Sequence, residues 1–450
     1  MGIPVASFFA SRAGRSPLGW PLVAVLAYAA ELLLFSRFRN SLGPHLSPLL
    51  FFGSGVLLCV AALLALRNQS FVPASAAQVM GRLGWGVAAW LAGGLLVLRK
   101  MVPIVLGSAL DVRVSDVIPI VQTYVDRFRS GEVVYRYLTN LPYPLFPNHL
   151  PLQWLPYVPA QPLGVDFRWV SLALLLVLGF GAYQYTLLRQ RTGGLSFALK
   201  ALLPAFALWL IIKSDSFIFA QVLEPTIICY YFLLAASVLS GSAWAQGGAL
   251  VLCLLSRYSV VFWVPFFLLL LWRGAGLRHT LLVVAIMLAG IVGIYVVPFL
   301  SKDPTIFMHA LAEYRAATLG EWTHLDANSG LPMHIFNGLS AAPWFYSYVP
   351  LALDAKITWV QRTHVLASAG VVALLTGFYW RFGRRYDYRH LALVGLKLYL
   401  ATFYFFIQIP YAYLISVSVL LSVFVVALLF GTSETTAAEA TLPTPPAGRI

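Results

Sequence analysis

Long apolar runs dominate this chain and restrict its fold more than any other feature. Each run approaches the roughly 20 residues that an α-helix needs to cross the hydrocarbon core of a bilayer. The runs cover 20–36, 48–66, 84–107, 166–187, 198–213, 224–240, 280–300, 361–380, 391–408 and 411–430. Only 10% of the residues are charged and 60% are hydrophobic, whereas about 25% of a soluble domain is charged. The sequence therefore predicts an all-α, polytopic membrane protein.

One further apolar run, 245–272, is too long for a single span and contains Arg257 near its middle. A guanidinium that faces lipid in the centre of a span is costly. Two short helices that meet near Arg257 remove this difficulty. With them, the sequence predicts about twelve membrane helices.

Basic residues in short loops indicate the orientation of the chain, because such loops usually face the cytoplasm. On the predicted topology most of them share one side, and Arg37 and Arg39 are exceptions on the opposite side. Both chain ends are therefore expected in the cytoplasm. The formal charge of +14 fits loops that face anionic lipid, so a nucleic-acid partner is not expected.

Two long connections then share the outer face and divide the chain. Residues 1–83 would form a cytoplasmic segment and two extra membrane helices, and 84–300 a membrane core that includes the first outer loop, 108–165. The second outer loop covers 301–360, and C-terminal membrane helices occupy 361–430. Connections of this length usually carry function. The tail, 431–450, is rich in Thr, Ala and Pro and is expected to be a disordered cytoplasmic segment.

The first outer loop carries a carboxylate directly after an apolar span, at Asp116. Apolar residues recur after it at helical spacing, and they predict an amphipathic helix that lies on the membrane surface; they are Val117, Val121, Tyr124 and Phe128. Ser115 or Asp116 would then cap the helix. Asp116 could also act as a general base at the water–lipid boundary, since the helix dipole favours its ionised form. Asp111 and Asp126 are weaker candidates for that role.

The order of motifs in this loop resembles a known enzyme family. Ser115-Asp116-Val117, followed by Tyr124, Gly131 and Tyr135, is similar to the first periplasmic loop of the GT-C class glycosyltransferases. The segment Tyr143-Pro144-Leu145-Phe146-Pro147 resembles the Tyr-Pro-Pro element of bacterial members, interrupted here by Leu145. Gly164, Asp166, Arg168 and Trp169 match the usual start of the next membrane helix. The resemblance covers about 84–275, so two apolar spans precede the family's first helix.

The resemblance is greatest to the bacterial mannosyltransferases that use polyprenyl-phosphate mannose. It implies transfer of a sugar, with mannose the first expectation, from a polyprenyl-phosphate donor to a lipid, glycan or protein acceptor. The transfer would invert the anomeric centre, with Asp116 as catalytic base. It would take place on the periplasmic face of a bacterial inner membrane. No cofactor is implied, and no motif supports a divalent metal.

Several cations could hold the donor phosphate. The fork of Arg257 suits a phosphate well, and a similar Arg occurs in the corresponding helix pair of GT-C enzymes. Arg257 could instead form an intramembrane ion pair with Glu224. Arg99 and Lys100, near the outer end of the third span, would either extend to the interface or add to the phosphate site.

Polar and aromatic side chains near these groups are candidates for binding the sugar or the acceptor. Glu224, followed by Pro225, suits the start of a helix but could also bind sugar hydroxyls or Arg257. In the second outer loop His324 and His334 are flanked by aromatic and amide side chains, as sugar sites often are, and the spacing of the histidines does not form a zinc motif. The complete set of sugar or acceptor candidates is Glu224, Tyr124, Tyr143, His324 and His334.

Two other classes of function fit the same sequence. A transporter or lipid flippase would also have many spans, but such proteins show repeat symmetry and polar residues at the membrane midplane. Here the polar residues gather at one face, which favours an interfacial enzyme. An O-antigen ligase-like or polymerase enzyme would also use a lipid-linked sugar, and its chemistry would depend on outer-loop Arg and His rather than on Asp116.

Overall fold

A computed structural model describes residues 19–139, 141, 143 and 145–430. Its main helices are α1 (Gly19–Ser36), α2 (Gly43–Leu66), α3 (Ala76–Gly107), α4 (Val117–Arg129), α5 (Phe167–Leu188), α6 (Gly194–Ser214), α7 (Glu224–Ser240), α8 (Ala243–Leu254), α9 (Trp263–Ala275), α10 (Leu277–Leu300), α11 (Ile306–Thr323), α12 (Ala342–Tyr348), α13 (Leu353–Phe382), α14 (Tyr388–Phe405) and α15 (Ala412–Leu428). Short helical turns occupy Pro151–Trp154, Leu155–Tyr157, Gln161–Leu163, Phe217–Ala220, Tyr258–Val260, Met333–Phe336 and Gly383–Arg385. The predicted cytoplasmic tail and the first 18 residues lie outside the described residues.

Seven of these helices are long and apolar enough to cross a membrane, namely α1, α2, α3, α5, α6, α10 and α13. Four shorter apolar helices are α7, α8, α9 and α15. This confirms the prediction of a helical, polytopic membrane protein. The break at Arg257 is also confirmed, because α8 ends before it and α9 begins after it. The number of twelve spans stays a prediction.

The helix α3 begins eight residues earlier than its apolar run, and its N-terminal cap explains why. The Ser75 side chain accepts a hydrogen bond from the backbone N–H of Gln78, and the Gln78 side chain accepts one from the backbone of Ser75. This reciprocal arrangement satisfies two backbone donors that a helix start otherwise leaves free. The polar turn therefore continues the apolar span as one helix.

The loops gather at two ends of the helix bundle. At one end, the Asn68 N–H donates to the Arg385 carbonyl (2.7 Å) and the Ala74 N–H to the Arg189 carbonyl (2.8 Å). At the other end, the two long loops meet directly, since the rings of Phe146 and His309 lie 5.2 Å apart. We call this second end the Asp116 end. The predicted topology requires both long loops to lie at one end of the bundle, as they do here.

The apolar face of α4 packs against protein rather than against lipid. Ile118, Val121 and Tyr124 are fully buried, in a cluster that also contains Trp154 and Phe299. The apolar face of α4 is therefore not exposed to lipid, and the position of this helix at the membrane surface stays a prediction. The rest of the first loop and α10 cover the apolar face of α4, where the sequence pattern had suggested contact with lipid.

A buried ion pair ties the N-terminal helices to the C-terminal ones. The Lys397 ammonium on α14 contacts the Glu31 carboxylate on α1, and the two side chains are 0% and 1% exposed. Lys397 also donates to the carbonyl and the hydroxyl of Ser418 at 2.9 Å each, and the Ser422 hydroxyl donates to Glu31 at 2.8 Å. Both charges are thus hydrogen-bonded. The first two helices belong to the same packed bundle as the last two.

Breaking this pair should be costly. Replacing Lys397 with Met leaves the Glu31 carboxylate buried without its cation, and we expect the free energy of unfolding to fall by about 3–5 kcal/mol. The double variant Glu31→Leu/Lys397→Met removes both charges and should recover most of that loss. Thermal unfolding of the detergent-purified proteins measures both effects. Equal destabilisation in the single and double variants would contradict a role for the ion pair.

Candidate functional site

The Asp116 carboxylate is directed into the first loop and does not cap a helix. Asp116 occupies the N-cap position of α4 but has helical torsions (φ −85°, ψ −15°), and its side chain makes no capping hydrogen bond. Instead its Oδ2 accepts a hydrogen bond from the Tyr143 hydroxyl at 2.5 Å. The capping role predicted for Asp116 is therefore wrong. Its half-buried carboxylate is left for other contacts.

Tyr143 stays protonated as the donor in this contact. Burial raises the pKa of Tyr143, and the hydrogen bond to Asp116 and the negative charge of that carboxylate raise it further. Tyr143 is itself 44% exposed, so the pair lies at an accessible surface of the first loop. A substrate hydroxyl could therefore reach the Asp116 carboxylate from outside the bundle.

His149 lies behind this pair and links it to the interior. Its Nδ1 shares a hydrogen bond of 3.2 Å with the Tyr124 hydroxyl, and its carbonyl accepts one of 3.1 Å from Tyr135. Burial lowers the pKa of His149 to about 4; the Asp116 carboxylate opposes this shift and the Arg257 guanidinium adds to it. His149 is therefore neutral at neutral pH, within electrostatic range of both charged groups.

Arg257 forms an ion pair with Glu224, which the sequence offered as the alternative to phosphate binding. Its Nη1 and Nη2 donate to the two carboxylate oxygens of Glu224, each at 2.8 Å. Glu224 is the first residue of α7 and is only 2% exposed. The Tyr404 hydroxyl also lies beside the guanidinium. Because a guanidinium has five N–H donors, the fork with Glu224 leaves others for a second oxyanion.

Tyr413 connects the two charged centres. It is a partly buried tyrosine near the start of α15, within electrostatic range of Arg257, Glu224 and Asp116. Together with His149, it shows that Asp116 and the Arg257–Glu224 pair approach the same groups from different elements. Neither His149 nor Tyr413 was singled out by the sequence, since no motif distinguishes them from other aromatic residues.

The second loop contributes a hydrogen-bonded group of its own. His334 Nδ1 donates to Glu321 at 2.5 Å, and the Tyr411 hydroxyl donates to the same carboxylate at 2.7 Å. Burial alone would raise the pKa of Glu321, but the hydrogen bonds from His334 and Tyr411 and the nearby His324 lower it overall. Glu321 is therefore an anion that fixes the His334 ring, with Nε2 pointing away from the carboxylate. The ring of His324 lies 6.2 Å from that of His334.

This group lies within electrostatic range of the Asp116–Tyr143 pair. The charge of Asp116 acts on Tyr411, and the charge of Glu321 acts on Tyr143. The two carboxylates thus flank the same pair of tyrosines, one from each long loop. The sequence missed Glu321, because nothing in its spacing distinguished it from Glu313 on the same helix.

Other candidate residues lie outside this cluster. Arg99 and Lys100 are exposed on α3 and make no hydrogen bond or ion pair with any residue that the structure describes. Asp111 pairs with Arg113 at 2.7 Å on the surface of the first loop. Within residues 19–430, apart from the three undescribed positions, no group of three potential metal ligands is found.

Two further carboxylates have partners that the sequence did not predict. Asp215, two residues after Lys213, forms an ion pair of 2.9 Å with Arg39. Asp126 has Arg127 and Arg129 nearby in the sequence but accepts a hydrogen bond from Gln161. In both cases the partner comes from a distant part of the chain, so local charge spacing could not reveal it.

The low pKa of His149 gives the protein a pH-dependent stability. The unfolded chain binds a proton at this residue near pH 6.5, the ordinary pKa of histidine (about 6.5), and the folded protein only near pH 4. Because the unfolded state binds more protons between these values, stability should fall as pH drops through that window. In His149→Gln the melting temperature should depend less on pH between about 6.5 and 4.5. His309→Gln, which changes an exposed imidazole, should keep the wild-type slope, and identical slopes in all three proteins would count against this role.

No protein-family model matches this chain, and neither does any curated protein or solved structure. The resemblance to GT-C enzymes therefore stays a prediction.

Proposed function

We propose that this protein is a membrane glycosyltransferase that moves a sugar from a polyprenyl-phosphate donor to a hydroxyl acceptor at the Asp116 end. One observation carries the proposal: a half-buried carboxylate with no capping role and an anchored arginine both lie within electrostatic range of His149 and Tyr413. A base and an anion-binding cation at the boundary of a membrane are what this transfer needs. Mannose is the proposed sugar, and the periplasmic face of a bacterial inner membrane is the proposed location.

In the proposed reaction Asp116 removes the proton from the acceptor hydroxyl. The acceptor oxygen attacks the anomeric carbon from the face opposite the phosphate, and the bond between that carbon and the phosphate oxygen breaks. The electron pair of the broken bond leaves on the lipid phosphate, so the anomeric centre is inverted. Tyr143 orients the Asp116 carboxylate through its hydrogen bond of 2.5 Å.

The departing phosphate gains negative charge and needs donors that are fixed before the reaction. The N–H groups of Arg257 not used by Glu224 can supply them, because the ion pair holds the guanidinium in one orientation. Glu224 neutralises the resting charge of Arg257. In this proposal Glu224 therefore acts by positioning Arg257 and does not contact the sugar.

A ligase-like or polymerase enzyme is the second candidate. The Glu321–His334 contact of 2.5 Å favours it, because a carboxylate-bound imidazole with a free Nε2 can itself accept a proton. In such an enzyme Arg257 and His334 would carry the reaction, and Asp116 would be dispensable. The transporter class has less support, since the ion pair in the interior of the helices, Glu31 with Lys397, is inaccessible and fully hydrogen-bonded.

The role of Asp116 can be tested by replacing it with Asn. The amide cannot take a proton, so transfer from polyprenyl-phosphate mannose by purified protein should fall at least about 100-fold. Asp111→Asn is the matched control, because it removes a carboxylate of the same loop that pairs with Arg113 on the surface. Turnover retained in Asp116→Asn but lost in His334→Gln would favour the ligase-like alternative.

The role of Arg257 requires a variant that removes both partners of its ion pair. Arg257→Gln alone strands the buried Glu224 and is expected to destabilise the fold. Glu224→Gln/Arg257→Gln keeps two amides that can hydrogen-bond to each other, so its melting temperature should stay near that of the wild type. Its KM for the polyprenyl-phosphate donor should rise about 10- to 100-fold, the usual effect of lost charge-assisted hydrogen bonds. A folded double variant with an unchanged KM would show that the arginine is purely structural.

A further inference from the structure

An open polar groove of about 410 Å³ lies between the ends of α1 and α6. Its lining includes Ser36, Arg37, Arg39 and Asp215. The segment that follows α6 belongs to the Asp116 end, because the Arg168 guanidinium bridges the Ala220 carbonyl to the loop that carries Asp116, at the Ser108 carbonyl. The groove thus opens at the same membrane boundary as the candidate site, but none of its residues contacts Asp116 or Arg257.

One wall of the groove is held rigidly by Arg39. Its Nη1 donates to Asp215 at 2.9 Å and its Nε donates to the Phe35 carbonyl at 3.3 Å. The guanidinium also lies over the Phe35 ring, 5.0 Å from the centroid. Its side chain is 21% exposed, so it is partly buried and still reachable. The groove therefore has a fixed cationic wall.

The groove has more positive charge than its carboxylate can balance. Arg37 is exposed, and its side chain makes no hydrogen bond or ion pair with any described residue. The residues that line the groove include two arginines, Arg37 and Arg39, and one carboxylate, Asp215. The excess charge favours an anionic ligand.

The position of these arginines in the chain also requires an explanation. Arg37 and Arg39 are the exceptions to the rule that places basic loop residues on the cytoplasmic side. Asp215 accounts for Arg39 alone. A negatively charged ligand would account for Arg37.

The surroundings of the groove indicate what kind of anion it takes. Large apolar side chains close in sequence to the lining residues are exposed, at the end of α1, in the α1–α2 loop and in the turn after α6; they are Leu33 (43%), Phe38 (49%), Leu42 (49%) and Phe217 (39%). A free anion gains nothing from such neighbours. A lipid places its phosphate in the polar groove and its acyl chains on the apolar rim.

We propose that this groove binds the phosphate headgroup of an anionic lipid in the leaflet at the Asp116 end. Arg37 and Arg39 hydrogen-bond the phosphate oxygens, and the apolar rim receives the first part of the acyl chains. The site is separate from the proposed reaction and does not depend on it.

The test measures lipid binding to the intact protein in an uncharged detergent. Native mass spectrometry counts bound molecules as palmitoyl-oleoyl phosphatidylglycerol is added, with diacylglycerol as a lipid that lacks the phosphate. Arg37→Gln should weaken phosphatidylglycerol binding about fivefold, the ratio that corresponds to one Lys or Arg at an anionic lipid surface. The variant Arg39→Gln/Asp215→Asn removes the ion pair as a unit and should weaken binding by a similar factor. Diacylglycerol should bind equally to all variants.

Arg113→Gln is the matched control, since Arg113 is also an exposed arginine at the Asp116 end with an aspartate partner. It should bind phosphatidylglycerol like the wild type. If Arg113→Gln weakens binding as much as Arg37→Gln does, the effect is general surface charge and the proposal is wrong. Unchanged binding in Arg37→Gln overturns it too. If inorganic phosphate at millimolar concentration displaces phosphatidylglycerol as effectively as the lipid binds, that result overturns the proposal and assigns the groove to a free anion.

Discussion

A guanidinium in the middle of an apolar run constrains this fold more than any other single group. Arg257 cannot face lipid, so the run 245–272 breaks into α8 and α9 and turns back at the Asp116 end. The break leaves Arg257 in extended backbone, where its side chain meets Glu224 at the first turn of α7. Without that carboxylate the cation would remain uncompensated in a nearly dry environment. The ion pair therefore fixes the positions of three helix ends at once.

The candidate site is built around the same constraint. Two carboxylates of the site, Asp116 and Glu321, each accept a hydrogen bond from a tyrosine hydroxyl. Tyr143 donates to Asp116 and Tyr411 to Glu321, at 2.5 and 2.7 Å. A tyrosine hydroxyl neutralises no charge, so each carboxylate keeps its negative charge while its orientation is fixed. Carboxylates held in this way remain able to accept a proton from a substrate.

Much of the fold could be predicted from the sequence because lipid imposes a simple rule on each helix. Apolar runs of sufficient length became helices, and an arginine in one run marked the break in it. Where the covering partner was another part of the protein, the rule failed. The apolar face of α4 was assigned to the membrane, although Trp154 and Phe299 cover it, since a hydrophobic stripe does not reveal what it packs against.

The site was only partly predictable for the same reason. Asp116 and Arg257 could be found because each is a charge in an apolar setting. Glu321 could not, because its importance comes from contacts with His334 and Tyr411 that only the folded chain brings together. Asp215 and Arg39 likewise meet across a separation of 176 residues. Long-range pairing depends on how the helices pack, and it cannot be predicted from the spacing of residues in the sequence.

The pairing of Glu31 with Lys397 has a consequence for the order in which the protein is made. The two residues are separated by 366 positions, so α1 enters the membrane long before its partner exists. At about 5–20 residues per second, the ribosome needs roughly 20–70 s to bridge that distance. Throughout that time the carboxylate of the first helix has to be sheltered by water, by protonation or by the insertion machinery. The bundle can close around Glu31 only after the C-terminal helices have been inserted. The bundle is therefore completed at the end of synthesis.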